Sequence, residues 1–143
     1  MSDQNIAVVR RFTTQGCVAG KLGVIDEVFA EDFVNHDPMP GHDTGREGMR
    51  QTIQMLNDGL SDRKMVVDEY RSAGDTVVQN ATFGAIHTGE MLGAAASGNE
   101  VLVRGIEIWR VADGRIAERW GVIDVAGLLA QLRSATASAG VAP

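Results

Sequence analysis

The sequence predicts an α+β fold, because helical periodicity fills its first part and strand-like segments fill the rest. Before residue 60, apolar residues recur at spacings of three and four. After it, four segments rich in Val, Ile and Thr are separated by short turns or glycine-rich loops. The order predicts a cone: three N-terminal helices pack on a curved, mainly antiparallel sheet, and a short C-terminal helix follows. A sheet covered in this way leaves a conical cavity on its concave face.

Three helices are predicted ahead of the sheet. The first spans about residues 2–16, and a second, short one spans about 22–29. An irregular loop rich in Pro and Gly follows. The capping-box pattern from Thr44 to Glu47 predicts the start of the third helix, which extends toward Leu60.

Four strands are predicted after the helices. The dipeptide Asp113-Gly114 joins two apolar segments and is a strong signal for a tight hairpin. The last helix runs from Asp124 through Gln131, and the small residues of 134–143 predict a frayed tail. The strand segments are 63–72, 75–88, 99–112 and 115–123.

Composition and charge limit the partners and the setting that can be expected for this protein. A chain of 143 residues suits one domain spanning 1–143, and its net charge of -6 without a basic run argues against nucleic acid or an anionic membrane as partner. Cys17 is the only cysteine, and neither a signal peptide nor a membrane-spanning run is visible, so a cytoplasmic setting is expected. No nucleotide or flavin motif occurs, and no cofactor is expected.

A metal site is not expected in the early loop. His36, Asp37, His42 and Asp43 lie close together in sequence, but their spacing matches no strong zinc pattern. Two prolines and a glycine intervene among them.

Gly121 is an unusual residue for the middle of a predicted strand. Glycine loses more entropy than other residues there and contributes no side-chain packing, so it marks a bulge, a bend or a close approach. It lies in the segment RWGVID, beside Trp120 and three residues ahead of Asp124.

Five segments in order resemble the SnoaL-like polyketide cyclases, which belong with the α+β-cone proteins similar to nuclear transport factor two and ketosteroid isomerase. The resemblance covers about residues 5–133. It implies a cofactor-free enzyme of secondary metabolism, as in antibiotic biosynthesis, that closes a polyketide ring by intramolecular aldol condensation. The segments are NHDP, GREG, IHTGE, RGIEIWRVADGRIAERW and VIDVAGLLAQL.

The resemblance also directs attention to positions 107 and 121. The cyclases that give the family its name carry a catalytic carboxylate at the position of Gly121 and a histidine at that of Glu107. This sequence departs at both, so the candidate catalytic residues are Glu107 and Asp124. Each has a structural alternative: Glu107 could be a solvated residue paired with Arg104 or Arg119, and Asp124 could cap the last helix.

Further residues are candidates for binding a hydrophobic small-molecule substrate. The histidines could polarise a carbonyl, or could simply be satisfied by backbone groups. The tryptophans could stack on a flat ring, although core packing is the more common role. The candidates are His36, Gln79, Phe83, His87, Trp109, Trp120 and Gly121.

Three functions follow as hypotheses. The first is ring closure or a related enolate isomerisation. The second is another tailoring step, such as hydroxylation of an anthracycline-like ring, and the third is a non-catalytic ligand-binding or stress-associated module. The resemblance also implies a homodimer through the outer sheet face, where Ile106 and Ile108 would be buried.

Overall fold

The α+β prediction is confirmed by the computed structural model, which describes residues 2–134. Helices cover a curved five-stranded sheet. The helices are α1 (Ser2–Arg11), which continues as a π-helical segment (Phe12–Val18), α2 (Val24–Val28), α3 (Arg46–Gly59) and α4 (Val125–Arg133). The strands are β1 (Phe29–Asn35), β2 (Leu60–Ala73), β3 (Thr76–His87), β4 (Glu100–Ala112) and β5 (Arg115–Ile123).

Strand β1 is one that the sequence pattern did not predict. The chain leaves the predicted second helix at Val28, and the fully buried Phe29 begins the strand. Strand β1 pairs in parallel with β5 at one edge of the sheet, whose order is β1-β5-β4-β3-β2 with the other neighbours antiparallel. This pairing places Asn35 beside Arg119.

The start of α3 also differs from the prediction. Its N-cap is Gly45, which makes no side-chain capping bond, so the capping-box prediction is wrong. Thr44 instead binds β1, because its carbonyl oxygen accepts a hydrogen bond from the Asn35 amide at 2.6 Å. At the other end, Leu60 adopts an extended backbone and pairs with His87 in β2.

Alternating exposure on β4 identifies the concave face of the sheet. Ile106 and Ile108 are 48% and 37% exposed, whereas Val103 and Trp109 are buried. Odd-numbered residues of β4 therefore point toward the helices. Irregular register at Arg110 and in β2 interrupts the ladders, and such bulges bend and twist strands.

An aromatic cluster packs between the π-helical segment, β1 and β4. Trp109 is 1% exposed and packs edge-on against Phe12, with ring centroids 5.8 Å apart. Phe12 in turn contacts Phe29 with centroids 4.9 Å apart. Phe12 opens the π-helical segment, an irregularity that is frequent near functional sites. One of the two clusters of the hydrophobic core therefore lies at this segment, and the other lies around Leu60, Val101 and Leu128.

The predicted hairpin at Asp113-Gly114 is confirmed, since β4 and β5 are antiparallel and both turn residues have positive φ. None of the helices within residues 2–134 is long and apolar enough to cross a membrane. Apart from Ser134, the predicted frayed tail of 134–143 lies outside the described residues.

Candidate active site

A cavity of about 390 Å³ lies between α3, the π-helical segment and the concave face of the sheet. Its size falls within the usual range for small-molecule sites. Most of its wall is apolar, and all five methionines after the first residue line it. They are Met39, Met49, Met55, Met65 and Met91.

The polar groups of the cavity gather around Arg119. Its Nε donates to Glu107 Oε2 at 2.7 Å, and the two side chains are only 11% and 19% exposed. Its Nη1 donates to Asn35 Oδ1 at 3.0 Å and to the Asp37 carbonyl oxygen at 2.9 Å. The guanidinium carbon also lies 5.6 Å from the centroid of the Trp109 ring. Three hydrogen bonds and one contact with an aromatic ring therefore fix the Arg119 side chain.

Gly121 is a glycine because the guanidinium of Arg119 lies against its α-carbon. A β-carbon at this position would be 2.6 Å from Arg119 Nη2 and 2.9 Å from Cζ. The Gly121 amide also donates to Asp37 Oδ2 at 3.0 Å. Among the explanations considered from sequence, close approach of a neighbouring group is the one observed.

Comparison with known proteins places this site in a family. The family model for SnoaL-like polyketide cyclases matches residues 7–132. The chain is a SnoaL-like polyketide cyclase family member. No protein of curated function matches its sequence.

Solved structures with the same fold include three from Streptomyces. TsrD from Streptomyces laurentii is 27% identical with a TM-score of 0.80, over 91% of this chain and 95% of that one. IdmH from Streptomyces antibioticus, named as a candidate polyketide cyclase, is 26% identical with a TM-score of 0.76, over 90% and 98% of the two chains. AclR from Streptomyces galilaeus, named as a candidate hydroxylase, is 22% identical with a TM-score of 0.81, over 92% and 82%. The last similarity concerns the fold alone.

In this SnoaL-like protein, three of the predicted site residues line the cavity: Glu107, Gly121 and Phe83. His36 and Trp120 lie together elsewhere, stacked with ring centroids 4.8 Å apart. His36 Nε2 lies 2.8 Å from Glu118 Oε2. This hydrogen bond, followed by one from Arg110, lowers the pKa of the Glu118 carboxyl.

The other predicted substrate-binding residues are buried behind the cavity wall. Gln79 Oε1 accepts a hydrogen bond from Thr13 Oγ1 at 3.1 Å, and Trp109 belongs to the aromatic cluster. His87 is fully buried, and its Nδ1 lies 2.8 Å from Ser97 Oγ. None of the three is among the described residues that line the cavity.

Sequence reasoning missed Asn35 and Asp37 as site residues and treated Arg119 only as a possible partner of Glu107. The signal that could have found them was the segment NHDP, read as the end of a strand. Within residues 2–134, no group of three or more His, Cys, Asp and Glu side chains is arranged to hold a metal ion.

Cys17 also lines the cavity but is poorly suited to be a nucleophile. Burial, with the nearby Glu107 charge adding to it, raises the pKa of the Cys17 thiol to about 12. The thiolate is the reactive form, so the protonated thiol acts as a small apolar group at neutral pH.

Asp124 caps helix α4: its Oδ1 accepts from the Gly127 amide at 2.8 Å. Replacing Asp124 with alanine is expected to lower the free energy of unfolding by about 0.5–2 kcal/mol, because the cap is lost. Asparagine caps equally well, so Asp124→Asn should keep both stability and turnover. Urea unfolding and a turnover assay check this. Loss of turnover by a fully stable Asp124→Asn variant would instead support the catalytic role predicted from sequence.

Proposed function

We propose that this protein catalyses ring closure of a hydrophobic polyketide-like substrate by intramolecular aldol condensation, or a related enolate isomerisation, with Glu107 as the base. One observation carries the proposal: a carboxylate whose side chain is only 19% exposed lies among the polar groups of a mostly apolar cavity. Arg119 holds its Oε2, while Oε1 accepts no hydrogen bond from the described residues. Membership of the SnoaL-like family supports the same chemistry.

The reaction begins with a proton on the carbon between two carbonyl groups of the substrate. Glu107 Oε1 takes this proton, and the electron pair of the C–H bond moves onto a carbonyl oxygen to form an enolate. The enolate carbon then attacks a second carbonyl of the same folded chain, and Glu107 returns the proton to the resulting alkoxide. The sequence of steps is redox neutral, so acid–base chemistry and orientation are sufficient.

The cavity contributes orientation. Apolar walls favour a folded hydrophobic chain over an extended, hydrated one. The substrate carbons are then held near one another, while the polar groups around Arg119 contact the substrate. Because an intramolecular reaction depends on near-attack geometry, this confinement supplies a large part of the expected rate.

Incubation of the protein with β-polyketone esters, under air and under nitrogen, tests the proposal. Equal yields of a cyclised product, detected by mass spectrometry, are expected under both atmospheres. A product formed only under air, with incorporated oxygen, would favour hydroxylation of an anthracycline-like ring. Saturable binding of these esters without a product would favour a non-catalytic binding module.

We also propose that two copies pair through the outer face of the sheet. Ile106 and Val122 are register partners on β4 and β5, and both are largely exposed in the single chain. Ile108 and Trp120 form the next pair on the same face. An exposed apolar sheet face of this kind is typical of an association surface.

Light scattering should give a mass of about twice 15.3 kDa for the wild type. Ile106→Lys is expected to shift the mass to that of a monomer, because a charge cannot be buried unpaired against the second copy. Leu22→Lys provides a matched control, since Leu22 is an exposed apolar residue outside the sheet. A wild-type protein with the mass of a monomer would overturn the proposal.

A further inference from the structure

Arg119 has one guanidinium nitrogen that is not used within the described part of the chain. Nε and Nη1 donate to Glu107, Asn35 and Asp37. Nη2 donates to none of the described residues, although the side chain is only 11% exposed. A largely buried guanidinium with an unused donor is a strong site for an anionic oxygen, because charge-assisted hydrogen bonds are stronger than neutral ones.

Nη2 lies next to Gly121. It is 2.6 Å from the point that a β-carbon of Gly121 would occupy, and both Arg119 and Gly121 line the cavity. Residue 121 faces Glu107 across the β4–β5 ladder. The free nitrogen of Arg119 and the free oxygen of Glu107 therefore belong to one small region of the wall.

We infer that Arg119 Nη2 binds the substrate oxygen on which negative charge develops. The inference rests on the proposed function and assigns the residue that stabilises its enolate. A donor held by several contacts before the reaction needs no rearrangement when the charge forms.

The charges around Arg119 explain how one guanidinium can bind both Glu107 and the enolate oxygen of the substrate. Before proton transfer, the negative charge is on Glu107, which accepts from Nε. After transfer, Glu107 is neutral and the charge is on the enolate oxygen beside Nη2. The Asp37 carboxylate, which accepts a hydrogen bond from the Gly121 amide, takes no part in the proton transfer. The net charge of the site is therefore constant, and the negative charge moves from one side of Arg119 to the other.

The ionised form of 4-nitrophenol is a suitable probe, because its absorbance reports the ionised state directly. Glu107→Gln should bind the ionised probe about tenfold more tightly than the wild type, since a competing negative charge is removed. In the double variant Glu107→Gln with Arg119→Gln, this gain should disappear. The double variant leaves no unpaired charge from the pair, and thermal unfolding verifies that it is folded.

A neutral probe of similar shape, 4-nitroanisole, provides the matched control and should bind all three proteins equally. Equal affinity of the single and double variants for ionised 4-nitrophenol would overturn the inference, as would absence of its binding to Glu107→Gln. The proposed function can fail separately, because it is tested by turnover of β-polyketone esters.

Discussion

Replacing Glu107 with glutamine is expected to lower the rate of ring closure by about 10²–10⁴-fold, the usual contribution of a positioned general base. Glutamine has the same size and still offers an oxygen to Arg119 Nε, which now binds Glu107 Oε2 at 2.7 Å. The fold and the substrate affinity should therefore change little, so the loss should occur in kcat. Steady-state kinetics with a cyclising β-polyketone ester measures it.

Glu118→Gln is the matched control for this substitution. Glu118 lies on β5, three residues before Gly121, and pairs with Arg110 at 2.6 Å as well as with His36. The substitution removes a carboxylate from the same sheet, but Glu118 does not line the cavity, so turnover should persist. Full activity of Glu107→Gln would contradict the assignment of the base.

Replacing Gly121 with alanine is expected to lower kcat by about 10²-fold, because a displacement of the order of 1 Å in a catalytic group has such an effect. The added methyl carbon would lie 2.6 Å from Arg119 Nη2, so the guanidinium must move. Movement would weaken its bonds to Glu107 and Asn35. Crowding of this kind destabilises a protein by about 1–3 kcal/mol. Kinetics and urea unfolding measure the two effects.

A double-mutant cycle isolates the contact responsible. In an Arg119→Met background the guanidinium is absent, so Gly121→Ala should have a much smaller effect on stability. Residues in direct contact commonly show coupling energies of about 0.5–3 kcal/mol. If Gly121→Ala lowers the free energy of unfolding by the same amount in both backgrounds, the glycine is required for a reason other than Arg119.

Local sequence patterns predicted two features of the fold that depend on short-range interactions, although the capping-box pattern at Thr44 failed. The Asp113-Gly114 turn and the Asp124 cap each depend on a few adjacent residues. Strand β1 was missed because its partner, β5, lies more than 80 residues further along the chain. Its first residue, Phe29, also continued the apolar spacing of a helix, so burial against β5 overrode a helical pattern.

The candidate site was only partly predictable for the same reason. Strand periodicity places Glu107 on the opposite face of β4 from Ile106 and Ile108. Only the family resemblance indicated which of the two faces points inward. Arg119 meets Asn35 and Asp37 only because β1 lies beside β5. Because strand β1 was not predicted, the predicted site lacked most of the polar groups that surround Arg119.

The methionine-lined wall has a consequence for the evolution of substrate range. Thioether side chains are unbranched and flexible, and they tolerate contacts with ligands of different outline. The same wall can therefore accept substrates that differ in chain length and ring number. Selectivity for the reacting carbons then rests with the few polar groups around Arg119, so variants selected for a new scaffold should retain this cluster while their methionines change freely.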